Sequence, residues 1–299
     1  MWYSDGAMKK RILSFIAVLA LLVSLLTACK KETAEPSEPM ETPDPHAGMV
    51  EVSDGSGGMM WVKEAPDLTP FALDTAAFSV TDGVAAYSGE DCTLMRGIDV
   101  SDHQGEIDWQ AVAASGVEFA IIRCGWRGYS GGSLNEDARF RSNIEGAKQA
   151  GLEVGVYFFS QAVNILEAAE EAVYTVSLLE GYSLDLPVFF DWELIGTEPA
   201  RTDNVDGGTV TDAALEYCRL LASAGYDTGV YAYLNLAYFT YDLNRLKDVT
   251  IWMGDPGTWP EFYYEHSFWQ YSVTGAVPGI EGDVDLDVMY RRAAVGGQA

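Results

Sequence analysis

From residue 96 onward the apolar positions repeat in a fixed order: an apolar strand, a loop, an amphipathic helix, then a small residue and Gly leading into the next strand. The junctions are Ser115-Gly116, Ala150-Gly151, Glu180-Gly181 and Ala224-Gly225. Gly just past a helix end suits the left-handed cap, and the intervals between these glycines match successive βα units. The runs at 120–123, 154–159, 186–190 and 228–233 are almost continuously apolar, as in parallel strands covered on both faces. Residues 135–150 and 165–180 carry apolar positions at helical spacing, and Thr211-Asp212 reads as the N-cap of a helix over 213–224. Beyond Tyr233 the helical pattern fades, and short strands at 250–253, 267–271 and 285–286 follow without helices of that quality between them. The pattern predicts an α/β fold, a (β/α) barrel whose last part has lost its helices; an open doubly wound sheet is the alternative.

A different pattern opens the chain. Residues 8–31 read MKKRILSFIAVLALLVSLLTACKK: basic Lys9, Lys10 and Arg11, an apolar run over 12–26, then small residues before Cys29. The run is shorter than the roughly 20 residues a bilayer span needs, so it reads as a secretory signal. Its closing Leu26-Thr27-Ala28-Cys29 resembles the bacterial lipoprotein signal, in which the cysteine is lipidated and becomes the mature N-terminus. An uncleaved anchor helix is the alternative, and both readings place the rest outside the cytoplasm, tied to a membrane. Residues 1–7 look like an over-extended start. The expected organisation is a signal over 1–28 and a disordered Pro/Glu/Gly-rich tether over 29–70, with a candidate short strand at Met59, Trp61 and Val62. An N-terminal extension over 71–95, the barrel over 96–292 and a flexible tail over 293–299 complete it.

Composition narrows the partners. At 48% hydrophobic and 12% aromatic, the chain is too apolar for a disordered protein, and 299 residues can bury a substantial core. Its 45 acidic against 18 basic residues give a net charge of -27, which argues against nucleic acid and against electrostatic docking on an anionic membrane. The histidines His46, His103 and His266 are too scattered for a zinc site, so no metal is expected. After Cys29, three cysteines remain; Cys124 and Cys218 fall in a strand and a helix and read as buried free thiols.

In a barrel of this kind functional side chains gather at the C-terminal ends of the strands. Three acidic groups lie there: Asp99 in the strand over 96–100, Asp191 and Glu193 after the run over 186–190, and the cluster over 282–287 with Asp283, Asp285 and Asp287. Asp191 and Glu193 are two residues apart, so an extended chain points both to one side. Two carboxyls against Phe189, Phe190 and Trp192 suit general acid/base work, because burial and mutual repulsion separate their pKa values. Glycoside hydrolysis most often uses such a pair. Chance alone gives about seven such spacings among 45 acids in 299 positions, so location carries the weight. A structural ion pair with Arg123 or another base is the other reading.

Other motifs are poorer. Gly128-Tyr129-Ser130-Gly131-Gly132 matches the G-x-S-x-G of serine hydrolases, but Ser130 lies well past its strand and reads as part of a flexible loop. Asp203-Asn204-Val205-Asp206-Gly207 has the flavour of a calcium loop, yet Ala214 falls where its last carboxylate belongs. Tyr157, Phe159, Tyr231, Tyr233, Trp252, Trp269 and Tyr271 sit on strands, either as core or as platforms for sugar rings.

The residues Gly97-Ile98-Asp99-Val100-Ser101, His103-Gln104-Gly105 and Ile107-Asp108-Trp109 resemble the opening of glycoside hydrolase family 25, the N-acetylmuramidase-type lysozymes. The likeness continues through Phe119-Ala120-Ile121-Ile122-Arg123, Gly155-Val156-Tyr157-Phe158-Phe159 and Asp191-Trp192-Glu193, then Trp269-Gln270-Tyr271, Gly275, Pro278-Gly279-Ile280 and Val284-Asp285-Leu286. It covers about residues 96–290. The resemblance implies a modified TIM-like barrel with about five β/α units and three further strands. It implies cleavage of the β-1,4 bond from N-acetylmuramic acid to N-acetylglucosamine in peptidoglycan, without cofactor or metal. Glu193 would be the general acid, Asp191 its partner orienting the substrate's N-acetyl group, and Asp99 and Asp285 would complete the cluster. Tyr157, Tyr231 and Trp269 would contact sugar. Substrate assistance is the favoured mechanism, since an N-acetyl group lies beside the reacting carbon. One departure is Trp252-Met253-Gly254-Asp255-Pro256, where the family commonly has an aromatic after the Trp-containing strand. The expected protein is a monomeric, lipid-anchored enzyme on peptidoglycan strands; a non-catalytic glycan-binding lipoprotein of the same fold is the rival.

Overall fold

The computed structural model describes residues 44–293, so the signal, Cys29, the first part of the tether and the tail over 294–299 lie outside the described residues. The larger of its two compact units begins at Gly48. Two antiparallel hairpins come first: β1 (Met49–Ser53) with β2 (Met59–Lys63), and β3 (Phe78–Thr81) with β4 (Val84–Tyr87). The first hairpin corrects the expected tether. Val52 and Val62 alternate inward and are buried, and the Ala65 N–H donates to the Tyr264 hydroxyl at 2.7 Å. A short alternating stretch that can bury its apolar side folds, whatever the composition around it.

The main sheet follows with β5 (Cys92–Val100), β6 (Phe119–Arg127), β7 (Leu134–Glu136), β8 (Glu153–Ser160), β9 (Val188–Trp192), β10 (Thr228–Tyr233), β11 (Thr250–Gly254), β12 (Phe268–Gly275) and β13 (Val284–Arg292). Strands β5, β6, β8, β9, β10, β11 and β12 pair in that order and in parallel. Strand β13 runs antiparallel to both β12 and β5 and closes the barrel. Closure excludes the open sheet. Strand β7 adds to β6 at one edge, antiparallel.

The helices pack outside: α1 (Trp109–Ala114), α2 (Phe140–Gln149), α3 (Ile165–Leu178), α4 (Gly207–Ser223) and the short α5 (Leu234–Phe239). Asp108 caps α1 and Asn164 caps α3, each carboxyl or amide oxygen taking two orphan N–H groups. Gly116, Gly151, Gly181 and Gly225 adopt φ of 91°, 85°, 89° and 96°, the left-handed turn into the next strand. After α5 there is only a 3-10 turn over Leu243–Leu246 before β11, which is the fading rhythm seen in the sequence. Two boundaries differ from expectation. Residues 134–136 pair with β6 instead of starting a helix, and buried Asp137 beyond them is held by Arg123, so α2 begins at Phe140. Helix α4 begins at Gly207, capped by Asp206, while the Thr211 hydroxyl donates back to the Gly207 carbonyl.

Two apolar layers result. One lies between barrel and helices, and the other fills the barrel's lower interior with Phe119, Phe189, Phe268, Trp252 and Ile121. Gly97 and Gly229 make room for this filling: a Cβ at either would stand 2.1 Å from the Phe119 ring or 2.4 Å from the Phe189 ring. Among the described residues no helix is long and apolar enough to cross a membrane, and Cys92, Cys124 and Cys218 are buried free thiols.

Candidate active site

Above the aromatic filling, at the C-terminal ends of the parallel strands, the barrel opens into a cavity of about 290 Å³. Its walls include Asp99 from β5, Asp191 at the end of β9, Glu193 just beyond it, and Asp285 at the start of β13. The four acids singled out in the sequence therefore share one cavity. Strand reversal explains the last of them. Because β13 runs opposite to β5, its first residues lie at the mouth, and Asp285 pairs directly with Asp99. Asp191 stands in register between Phe159 of β8 and Tyr231 of β10.

A hydrogen-bond chain fixes one side. The Tyr231 hydroxyl donates to Gln270 Oε1 at 2.8 Å, and Gln270 Nε2 donates to Asp99 Oδ2 at 2.8 Å. One step deeper, Trp252 Nε1 donates to Asp287 Oδ1 at 2.8 Å. On the other side Gln161 Nε2 donates to the Glu193 carbonyl at 2.7 Å while its own Oε1 accepts from Thr202, which holds the backbone of the acid in place. Arg123 also faces the cavity, but its guanidinium is committed to Asp102 and Asp137, so the ion-pair reading gives its charge to those two acids.

Burial dominates the electrostatics. It drives the carboxyl of Asp191 well above its usual range, and the neighbouring Glu193 pushes it further. Glu193 is raised by burial as well. Asp99 is driven well up by burial and then by the charges of Asp287 and Asp285. Burial also lifts Asp285 to about 6 and Asp287 to about 8. Among the described residues, the buried oxygens Asp191 Oδ1 and Asp287 Oδ2 have no hydrogen-bond partner. An acid pair raised in this way keeps a proton to higher pH than exposed carboxyls do and can deliver it to an oxygen placed in the cavity.

Tyr157 and Tyr231 line the cavity, their rings packed against Trp252 at centroid distances of 6.0 and 4.6 Å. Trp269 does not. Strand alternation turns Phe268 and Gln270 inward, so Trp269 points into the outer core, fully buried, with Nε1 donating to the Asp255 carbonyl at 2.7 Å. The expected sugar contact at that position is corrected to a core residue. Glycine at 254 is explained by the same packing: a Cβ there would stand 2.4 Å from the Tyr231 hydroxyl. Trp252 and Gln270 line the cavity and Asp287 lies one step below it; the sequence places Trp252 among the strand aromatics and Asp287 in the acid cluster, but gives none of the three a role at the site. A lone polar residue inside an aromatic strand was the available signal for Gln270, and the two-residue step from Asp285 was the signal for Asp287. Gly128–Gly132 form the turn between β6 and β7 and lead into no helix, and Asp206 is a helix cap. Among the described residues no group of three or more His, Cys, Asp or Glu is arranged to hold a metal ion.

Comparison with known proteins places this geometry. The sequence model of the family described as Glycosyl hydrolases family 25 matches residues 98–280. The chain is similar to the protein named autolytic lysozyme from Clostridium acetobutylicum, 31% identical over 205 residues, which cover 68% of this chain and 58% of that protein. It is similar to lysozyme M1 of Streptomyces globisporus, 30% identical over 222 residues, covering 68% of this chain and 70% of the relative. Its structure resembles the modular autolysin LytC of Streptococcus pneumoniae in complex with a synthetic peptidoglycan ligand, with a TM-score of 0.58 and 25% identity over 82% of this chain and 57% of that one. The chain thus spans less than two thirds of the autolytic lysozyme and of the modular autolysin.

Proposed function

The chain belongs to glycosyl hydrolases family 25, and on that footing we propose that it is a peptidoglycan hydrolase cutting the β-1,4 bond between N-acetylmuramic acid and N-acetylglucosamine. The observation that carries this reading is the pair of buried Asp191 and half-buried Glu193, side by side in a cavity at the barrel mouth and both raised in pKa. Glu193 protonates the leaving glycosidic oxygen. Asp191, deeper and more strongly raised, stays beside it and orients the substrate's N-acetyl group, whose oxygen then supports the developing positive charge at the sugar carbon. Asp99 and Asp285 complete the acidic wall, and Asp285, raised only to about 6, supplies negative charge that favours that positive charge electrostatically. Tyr157 and Tyr231 offer ring faces to the sugar. The relatives named lysozyme and autolysin, and the peptidoglycan ligand bound to one of them, support the substrate class.

Release of new reducing ends from purified peptidoglycan tests the reading. The chain should release them, and Glu193→Gln should abolish release while the melting transition stays in place. Normal turnover by that variant contradicts the assignment. The run over residues 8–29 further supports export and attachment to the outer face of a bacterial membrane through lipid on Cys29. Cys29→Ala should shift the protein from the membrane fraction to the medium or leave it unprocessed; unchanged membrane association with normal processing contradicts lipidation.

A further inference from the structure

Strand β9 stops one residue short of the proposed acid. Its ladder with β8 ends at the pair Ser160 and Trp192, and its ladder with β10 ends at Tyr231 and Asp191. Asp191 is therefore held between two strands, whereas Glu193 lies beyond the last paired position on both sides. Past the end of a ladder the backbone is fixed only by what else it meets. An acid that must come within about 3 Å of a glycosidic oxygen needs such a restraint.

Gln161 supplies it. It is the first residue after β8, is fully buried, and bridges the gap beyond the last pair with its carboxamide. Its Nε2 donates to the Glu193 carbonyl at 2.7 Å and to the Ser160 carbonyl at 3.0 Å. Its Oε1 accepts from the buried Thr202 hydroxyl at 2.9 Å, so both ends of the amide are used and its orientation is fixed. The backbone that carries it is braced in turn. Arg201 donates from Nη1 to the Gln161 carbonyl at 3.3 Å and forks onto Glu167 of α3 at 2.8 and 2.6 Å. Glu167 also accepts from the Val163 N–H at 3.1 Å. One residue before Gln161, the Ser160 hydroxyl donates to buried Glu171 of α3 at 2.6 Å, and Arg127 holds the other oxygen of that carboxyl at 2.6 Å. A buried amide costs desolvation that an apolar side chain of its size would avoid, so its hydrogen bonds account for its place.

We propose that Gln161 is a positioning residue for Glu193: its amide stands in for the next rung between β8 and β9 and sets where the acid's carboxyl stands. This rests on the reading of Glu193 as the general acid. Gln161, Thr202, Arg201 and Glu167 do not line the catalytic cavity, so Gln161 acts through the Glu193 backbone and not on substrate. Without it the segment after β9 can move outward, which misplaces the carboxyl and hydrates it. Because burial is what raises Glu193, hydration moves its titration to lower pH.

Steady-state kinetics of the full chain on a soluble glycan-strand fragment of peptidoglycan test this. Gln161→Met keeps the length and removes the donor. It should lower kcat by about 10- to 100-fold, the scale of a misplacement of up to about 1 Å, with KM little changed. The alkaline limb of its pH profile should move to lower pH. Gln161→Glu sets a carboxylate against two carbonyls and should be equally impaired at neutral pH. On acidification it should recover relative to Gln161→Met, because its protonated carboxyl can donate to the Glu193 carbonyl. Thr202→Val frees only the orientation of the amide and should lower kcat less than Gln161→Met does; a thermal melt reports the folding of each variant. Unchanged kcat in folded Gln161→Met, a loss confined to KM, an unmoved pH profile, or Gln161→Glu tracking Gln161→Met at every pH overturns the inference. If Gln161→Met does not fold, Thr202→Val decides, and unchanged kcat there overturns it. Full turnover by Glu193→Gln would instead contradict the general-acid reading, whatever Gln161 does.

Discussion

The floor and the mouth of the barrel are made by the same strands and do opposite things. On the floor, Phe268 meets Phe119 and Phe189 at ring centroid distances of 5.7 and 5.3 Å, and Trp252 meets Phe189 at 5.2 Å. Two residues further along β9, Phe189 gives way to Asp191; along β12, Phe268 gives way to Gln270. Side chains two apart share a face, so the step from ring to acid is a step upward inside one barrel. The rings gain free energy by burial, and the acids above them lose it by desolvation. The floor is therefore part of the chemistry. It keeps water from reaching the acids from below, and burial is the leading cause of every raised carboxyl at the mouth.

If mouth and floor are divided in this way, their variants must separate. Glu193→Gln should lower turnover by about 10³-fold, within the range for losing a general acid, and leave stability equal or higher. Kinetics and a thermal melt on the same sample check it; parallel loss of activity and folding would erase the division. Phe189→Ala should cost about 3–5 kcal/mol of stability in a denaturant titration. Because it also hydrates the cavity from below, the remaining activity should move to lower pH, and an unshifted pH profile would show that the floor does not set the acids.

Asp287 lies at the boundary. Its carboxyl is lifted to about 8 by burial, against about 4 for an exposed aspartate. The folded chain then holds a proton that the unfolded chain has released, so this contribution is present below about pH 4 and is lost as pH rises through about 8. Stability should decline across that window by up to about 1.4 kcal/mol per pH unit from this group, and Asp287→Asn should flatten the decline. Melting temperatures from pH 5 to 8 measure it, and a parent whose stability climbs with pH refutes it. Tyr231→Phe should have the smallest effect, about 1 kcal/mol in kcat/KM, because it removes a single hydrogen bond to Gln270. A loss greater than a hundredfold would make the hydroxyl a reacting group.

Much of this was legible in the sequence. The glycine junctions and the near-continuous apolar strands gave the barrel, and acids at the ends of such strands gave the cluster, because charge is rarely placed there without use. The errors share a cause: local pattern does not show which face a residue takes. Phe268, Trp269 and Tyr271 crowd β12 with aromatics, so alternation could not say that Trp269 points outward. The N-cap was expected at Thr211-Asp212, whereas α4 starts at Gly207, which lies so close to the Thr240 carbonyl that a Cβ would sit 2.1 Å from it. Of the first hairpin only the strand at Met59, Trp61 and Val62 was expected; its partner β1 was hidden by the Pro- and Gly-rich composition around it, although the alternating Val50 and Val52 carried the signal.

The most direct measurement is the identity of the sugar at the new reducing ends after this chain digests purified peptidoglycan, read by mass spectrometry of the reduced fragments. The account predicts N-acetylmuramic acid at those ends, and none above background with Glu193→Gln. Reducing N-acetylglucosamine, or ends that persist in the variant, would contradict it.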